Sequence, residues 1–597
     1  MSDVPHDPPA DLPSVETPAL WPWLTPARAG AFVALIALVY GVITLRGHGV
    51  TFDEPALFHA GDRTLYAMLH PGDRTALDLN QHVHPGFQSD FLRFPDVNDP
   101  VHYPVFPGLV AAITNWIFHS KLHVLNTIDG HHLGLVVLHA AALFLFCVYA
   151  CRLLGRAAGI AAVVALALYP SAVGHSFNNA KDWPCAQYYG VFLLAMGVGV
   201  RDARFRDLVV AGVLLGVAFA GKMNAAFAVA TMLAWTPVAY GLLYHRRGPL
   251  PVGLVGGVLL VPYIAAAVFV ALWPWLYYGN LVDWWAHLSE YIRFMVNYGV
   301  GHRQTWTAHP FRCVLYMSPP LVLAAAGVFA ATGWRGDART RATYALLLLW
   351  VGVPVLRIAA PKSNFYDANR HFIEYIPGLC AMAGAGTAWI GERLCSWLRR
   401  PSMARWLSGR RPVWALAGFA CVATAALVWP VLQYRPFETT YFNMFIGGLG
   451  GAQRTGLFVA RAPADRRANG TEGDYWFSSL RVGLEFAASE TAPNQPIGIC
   501  GVPEGLSQSN WPYNPRLLLT DVNDTARVVY VAPREFFCGL TQIRELETQR
   551  PVLRRVERGG GLVYELLGAR DGRRHPVLTR QSVYTQPGWY ERKVTVP

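Results

Sequence analysis

The stretch Thr51-Phe52-Asp53-Glu54-Pro55 places two adjacent carboxylates directly after an apolar run, Ala29 to Leu45. Acidic side chains beside a membrane span are costly to place and tend to mark functional sites. A carboxylate there can accept the proton of an attacking hydroxyl. Pro55 disfavours a helical backbone at Glu54, so the pair is expected on a defined turn. The same stretch also reads as the capped start of a surface helix. Further polar residues recur at the ends of apolar runs: Lys181-Asp182, Lys222 in Gly221-Lys222-Met223-Asn224, and Arg370-His371. Acidic sites facing several cations suit displacement at an anionic leaving group. Lys and Arg neutralise the charge that builds on a departing phosphate. A lipid-linked substrate explains why such chemistry sits at a bilayer surface. Each residue has a plainer use as well. Asp182, ahead of Trp183-Pro184, fits a helix cap. Lys222 fits a snorkelling residue at a span end, and Arg370 a headgroup contact. His82 and His84 lack a firm third ligand, which argues against a metal site.

The elements that must position these residues are membrane helices. The chain has 597 residues, 53% hydrophobic, 13% aromatic and 15% charged, with 20 Trp. Soluble proteins average about 25% charged residues. The net charge of +12 does not indicate nucleic acid, because the Arg residues cluster between apolar runs as topology signals do. About eleven spans are expected, near 29–46, 132–151, 158–174, 185–200, 208–220, 225–244, 252–274, 313–333, 342–360, 372–391 and 412–432. With a cytosolic N-terminus, every Arg cluster falls inside, as the positive-inside bias requires. Asp53, Lys181-Asp182, Lys222 and Arg370-His371 then share the outer face. Tyr103–Phe118 is short and begins with two prolines, so it reads as an interfacial helix rather than a span. Trp273, Trp275, Tyr277 and Tyr278 read as an aromatic belt.

Residues 1–27 are polar, Pro-rich and expected to be disordered in the cytosol. Residues 28–432 form the membrane domain, with a large first outer loop at 47–131. Residues 433–597 read as a small extracytoplasmic α/β domain, from alternating stretches such as Pro496–Val502 and Ala526–Val531. Of nine Cys, Cys147, Cys151, Cys380 and Cys421 fit small core residues. Cys500 and Cys538 fall in the polar region, where a disulfide is expected if it faces an oxidising compartment.

Five motifs resemble one family. They are Asp53-Glu54, Tyr103-Pro104-Val105-Phe106-Pro107, Phe177-Asn178-Asn179-Ala180-Lys181-Asp182-Trp183-Pro184, Ala220-Gly221-Lys222-Met223-Asn224-Ala225, and Tyr366-Asp367-Ala368-Asn369-Arg370-His371-Phe372. Tyr441-Phe442-Asn443 and Asp474-Tyr475-Trp476 continue the likeness. In order and spacing, over roughly 29–480, the chain resembles the bacterial GT-C glycosyltransferases of the protein mannosyltransferase and aminoarabinose transferase type, glycosyltransferase family 39-like. Ala180 departs from the pattern, where Pro is usual, and Val459–Asp474 looks like an insertion.

The resemblance implies a polytopic α-helical GT-C fold in the bacterial cytoplasmic (inner) membrane. It implies a polyprenyl-phosphate-linked sugar donor, inverting single displacement, and a protein, lipid or glycan acceptor. Asp53 would be the general base, Glu54 would support the acceptor or the base, and Asp182 would be a second acidic site. Lys222, Arg370, His371 and Lys181 would hold the donor phosphate. No divalent metal is implied and no nucleic-acid partner is expected. A transporter or flippase of a lipid-linked precursor is the alternative, but charges at span ends and the lack of an internal repeat fit it less well.

Overall fold

The computed structural model describes residues 23–77, 91, 103–246, 248–301, 304–365, 367–398, 411–458, 473–474, 476–492, 495–500, 518–522, 525–533 and 540–570. His82, His84, Cys538 and the 1–22 tail lie outside the described residues.

Each expected span corresponds to a helix or a bent helix pair. The helices are α1 (Pro26–Thr44), α2 (Glu54–Leu69), α3 (Phe106–Asn115), α4 (Thr127–Leu154), α5 (Arg156–Ala167), α6 (Pro170–Asn178), α7 (Asp182–Arg201) and α8 (Phe205–Phe219). They continue with α9 (Ala226–Leu243), α10 (Val252–Ala271), α11 (Leu281–Gly299), α12 (His309–Met317), α13 (Pro320–Thr332), α14 (Ala338–Ala359), α15 (Tyr375–Leu398) and α16 (Arg411–Tyr434).

Among the described residues, six helices are long and apolar enough to cross a membrane, and up to eight if each bent pair is one span. This count rests on length and apolarity alone, and the three expected spans outside it are α7, α8 and α15. The pair α5–α6 bends by 61° and α12–α13 by 113°. Proline at the first turn of α6 and of α13 explains both breaks, since it cannot continue a preceding helix. Helix α8 has 15 residues, about 22 Å of rise. Helix α7 is buried along nearly its whole length. Surrounded by protein, it needs no lipid-facing surface and can carry Asp182 and Gln187. Helix α3 has 10 residues and is too short to span.

The stretch 47–131 is more than a loop. Helix α2 carries the Asp53 turn and lies against α3, and α3 lies against α4. The α2–α3 crossing needs two glycines. A Cβ on Gly61 would run into the backbone of Gly108, and one on Gly108 into the carbonyl of Leu57. Trp273 and Trp275 are buried rather than belt residues; Tyr291 of α11 meets Trp273 edge-on at 4.8 Å. Cys147, Cys151 and Cys380 are buried as expected, whereas Cys421 is exposed. Cys500 is disulfide-bonded.

The C-terminal region holds a five-stranded sheet in the order β2-β1-β3-β5-β4. The strands are β1 (Pro496–Ile499), β2 (Leu518–Asp521), β3 (Val528–Val531), β4 (Val552–Arg558) and β5 (Gly561–Leu567). Strand β1 pairs parallel with β2 and β3; β5 runs antiparallel to β3 and β4. The β4–β5 turn is Gly559-Gly560, both at positive φ (51° and 71°), the backbone a tight hairpin requires. Its tip packs on the short helix that follows α16, where Gly450 donates its N–H to the Gly559 carbonyl at 3.0 Å.

Gly61→Ala should cost about 1–3 kcal/mol through overpacking at the α2–α3 crossing, whereas Gly72→Ala, with open space around it, should be silent. Thermal unfolding of both variants in detergent checks this. A second prediction concerns Glu565 of β5. Burial and the adjacent Glu547 outweigh Arg555 and raise its carboxyl to about 7. A folded-state value above the ordinary 4.5 means the folded chain holds the extra proton. Stability is then greatest below 4.5 and falls as pH rises to about 7. Glu565→Gln should therefore stabilise the protein at pH 8 more than at pH 5, as melting curves at both pH values would record.

Candidate active site

Five turns from different parts of the chain meet at one end of the bundle. Asp53 precedes α2, Lys181 and Asp182 open α7, Lys222 follows α8, and Arg370 lies in the turn before α15. Trp476 arrives from beyond α16. Asp53 Oδ2 accepts from Arg370 Nη1 at 2.8 Å and from Lys181 Nζ at 2.9 Å. Asp182 Oδ1 is held by Lys222 Nζ, and Asp182 Oδ2 lies 3.9 Å from Arg370 Nε. Asp367 adds a third carboxylate, 3.5 Å from Arg370 Nη1. The Lys181 ammonium sits 4.1 Å from the Tyr103 ring centre, and the Arg370 guanidinium 4.9 Å from that of Trp476.

Local backbone chemistry explains why these side chains are available. Asp53 occupies the N-cap position of α2, yet makes no capping hydrogen bond. Its carboxylate goes to the two cations instead, which decides against the plain helix-cap reading. Asp182 does not cap α7 either. Asn179 Oδ1 accepts from the backbone N–H of Asp182 at 2.8 Å, leaving the Asp182 carboxylate for Lys222. Lys222 and Arg370 are each 3% exposed. Neither is a snorkelling or headgroup residue.

Glu54 and His371 differ from expectation. Glu54 takes the first helical position, which Pro55 just behind it tolerates in an opening turn. Its carboxylate is fully buried, accepting from the Thr51 backbone N–H at 2.7 Å and meeting His132 Nε2 at 3.3 Å. Those contacts hold the turn, and Thr51 Oγ1 ties it to the Asn178 carbonyl at 2.9 Å. Glu54 thus positions Asp53 and does not join the cation cluster. His371 is buried, and its carbonyl accepts from Arg357 and Asn224. Burial, reinforced by Arg370, Lys222 and Arg357, holds the imidazole well below its ordinary range. The three neighbouring cations disfavour a further positive charge there.

Electrostatics tie the remaining groups together. Burial alone would raise the Asp53 carboxyl, but Lys181 and Arg370 overcome it and hold it well below the carboxylate range. Burial would lower Lys181, and Asp53 overcomes that, raising the ammonium. Asp53 is also the accessible member. Its side chain is 20% exposed, against 6% for Lys181, 3% for Arg370 and 2% for Asp182. Among the described residues, no group of three or more His, Cys, Asp or Glu is placed to hold a metal.

Sequence reasoning missed Asp367 and Asn179 as site residues, although both lie inside motifs it singled out. It noted Trp476 only as part of a motif, with no position relative to Arg370.

Residues 107–278 match the family model described as dolichyl-phosphate-mannose-protein mannosyltransferase. The matched segment runs from α3 to the turn after α10 and includes Lys181, Asp182 and Lys222, in agreement with the motifs. No curated protein matches the chain in sequence. Similar solved structures include ArnT from Cupriavidus metallidurans bound to undecaprenyl phosphate, at 14% identity, covering 90% of this chain and 97% of that one, TM-score 0.44. The Archaeoglobus fulgidus oligosaccharyltransferase tethered with an acceptor peptide is similar at 12% identity, over 83% of this chain and 64% of that one, TM-score 0.41. At these scores the likeness carries no weight for residue roles or substrate.

The Asp53 pairing also sets a pH dependence. Its depressed folded-state value means its stabilisation is complete above the ordinary 3.8 and is lost only as pH falls below that. Asp53→Asn leaves Lys181 and Arg370 short of a counter-ion and should cost roughly 3 kcal/mol. The loss should be equal at pH 5.5 and pH 8, as paired melting curves in detergent would record.

Proposed function

We propose that this chain is an integral-membrane glycosyltransferase that moves a sugar from a polyprenyl-phosphate-linked donor to an acceptor, with inversion. The observation that carries the reading is the convergence of three buried cations and one accessible carboxylate at one end of the bundle. Lys181, Lys222 and Arg370 bind the donor phosphate and neutralise the charge that grows on it as the sugar–oxygen bond breaks. Asp53 accepts the proton of the acceptor hydroxyl, whose oxygen attacks the anomeric carbon from the face opposite the phosphate. The bonding pair leaves with the phosphate as polyprenyl phosphate. Asp182 and Asp367 keep the cations in place.

Asp53 paired with both cations is a poor base, because Lys181 and Arg370 stabilise its charge. A donor phosphate competes for those same two cations. As it takes them, Asp53 is released and its proton affinity rises when the acceptor needs it. Donor binding thereby primes the base.

The Arg-rich end of the bundle supports an orientation. Arg152 pairs with Asp207 at 2.7 Å, Arg201 donates to the Leu153 and Arg152 carbonyls at 2.8 Å, and Arg156 reaches the Leu24 carbonyl. By the positive-inside bias this end is cytosolic. The site then faces outward from a bacterial cytoplasmic membrane, and the acceptor is a protein, lipid or glycan of the envelope.

Transfer of label from polyprenyl-phosphate sugars in membranes tests the reading. Asp53→Asn should lower turnover about 10²–10⁴-fold while retaining donor binding; undiminished transfer would remove Asp53 from the role of base. Arg370→Lys should raise the donor KM, because lysine cannot reproduce the guanidinium fork. Charge neutralisation by three cations needs no divalent ion, so chelation with EDTA should leave the rate unchanged.

A further inference from the structure

We propose that Trp476, brought in from beyond the last membrane helix, is a positioning residue for the donor-phosphate site. This rests on the functional reading above. The ring lies against the guanidinium of Arg370 and is 1% exposed. A buried guanidinium that loses its water is free to swing toward whichever carboxylate is nearest. Arg370 has three in reach: Asp53, Asp182 and Asp367. An aromatic ring 4.9 Å from its central carbon limits that swing. Held there, Nη1 faces Asp53 and Nε faces Asp182, so one cation spans both acidic sites.

The ring itself is held by a dense set of contacts. Asp474 accepts from Ser478 Oγ at 3.0 Å and from the Ser479 backbone N–H at 2.5 Å, closing a turn around Trp476. Phe477, next in the chain, has a φ of +61°, a conformation that bulky residues rarely adopt and that packing must impose. His175 of α6 meets the ring edge-on at 5.4 Å. Arg481 pairs with the buried Asp129 of α4 at 2.7 Å and donates to the His48 carbonyl at 3.1 Å. Gly49 donates its N–H to the Ser478 carbonyl at 3.0 Å. His48 and Gly49 lead directly into the Asp53 turn. The segment therefore grips both halves of the Asp53–Arg370 pair. Its ring sets the guanidinium, and its backbone and Arg481 set the segment that leads to the carboxylate.

Binding of undecaprenyl phosphate to the full-length protein in nanodiscs, read beside donor and acceptor kinetics, tests this. Trp476→Leu should weaken that binding and raise the donor KM about tenfold, with acceptor KM unchanged. Trp476→Phe keeps an aromatic face and should restore most of both. Melting temperature and elution profile of each variant separate misfolding from mispositioning. Wild-type donor affinity in a folded Trp476→Leu protein would overturn the proposal, as would a change confined to the acceptor KM. Should the Trp476→Leu variant not fold, Arg481→Lys serves in its place. It keeps the charge but loses the fork shared by Asp129 and His48. A donor KM left unchanged by that variant would also overturn the proposal. If wild-type protein fails to bind undecaprenyl phosphate at all, the functional reading itself fails. Wild-type binding with an unaffected Trp476→Leu variant defeats only the positioning role.

Discussion

Burying charge is expensive, and the end of the bundle buries at least six charged side chains together. Asp182, Lys181, Lys222, Asp367 and Arg370 are each no more than 5% exposed, and Asp53 is only partly open. An isolated ion there would cost several kcal/mol, which close opposite charges can offset. Pairing therefore constrains the fold, because the charges belong to four turns far apart in sequence. Loss of one partner leaves another buried charge uncompensated. The crossing of α2 and α3, the bend at Pro170 and the Asn179 cap are all ways of delivering those turns to one point.

The pairing that lowers the energy of the cluster also limits what it can do. A carboxylate shared by an ammonium and a guanidinium is well satisfied and has little affinity for a proton. Reactivity has to come from outside, through an anion that draws the same cations away. The site is built to hold a charge pattern that the substrate completes. Glu54, adjacent in sequence, takes no part in that exchange. It is engaged by the Thr51 backbone and His132, and that engagement keeps Asp53 aimed.

Much of this was legible in the sequence. Charges at the ends of apolar runs stand out against a membrane background, so Asp53, Lys181, Asp182, Lys222 and Arg370 were all identified, and the Arg pattern put them on one face. What could not be read was direction. Adjacent residues at a helix start point to different sides, and nothing in Asp53-Glu54 says which faces the cations. His371 looked cationic beside Arg370, but its charge depends on burial, which spacing does not reveal. The bends in α5–α6 and α12–α13 coincide with visible prolines, yet an apolar run of the right length still reads as a single span. Helix α7 was legible as a helix but fails a test of apolarity, because that test supposes contact with lipid. Trp476 was the hardest case, since its partner lies in a different part of the chain and only the folded structure brings them together.

The Asp129–Arg481 pair bears on how the protein is made. A chain inserted span by span from its N-terminus places Asp53 early and Lys222 midway. The cover over Arg370 arrives only when the segment after α16 has been synthesised and has reached the same side of the membrane. Because Trp476 and Arg481 both lie past α16, the site is complete only after the last helix of the bundle has been made.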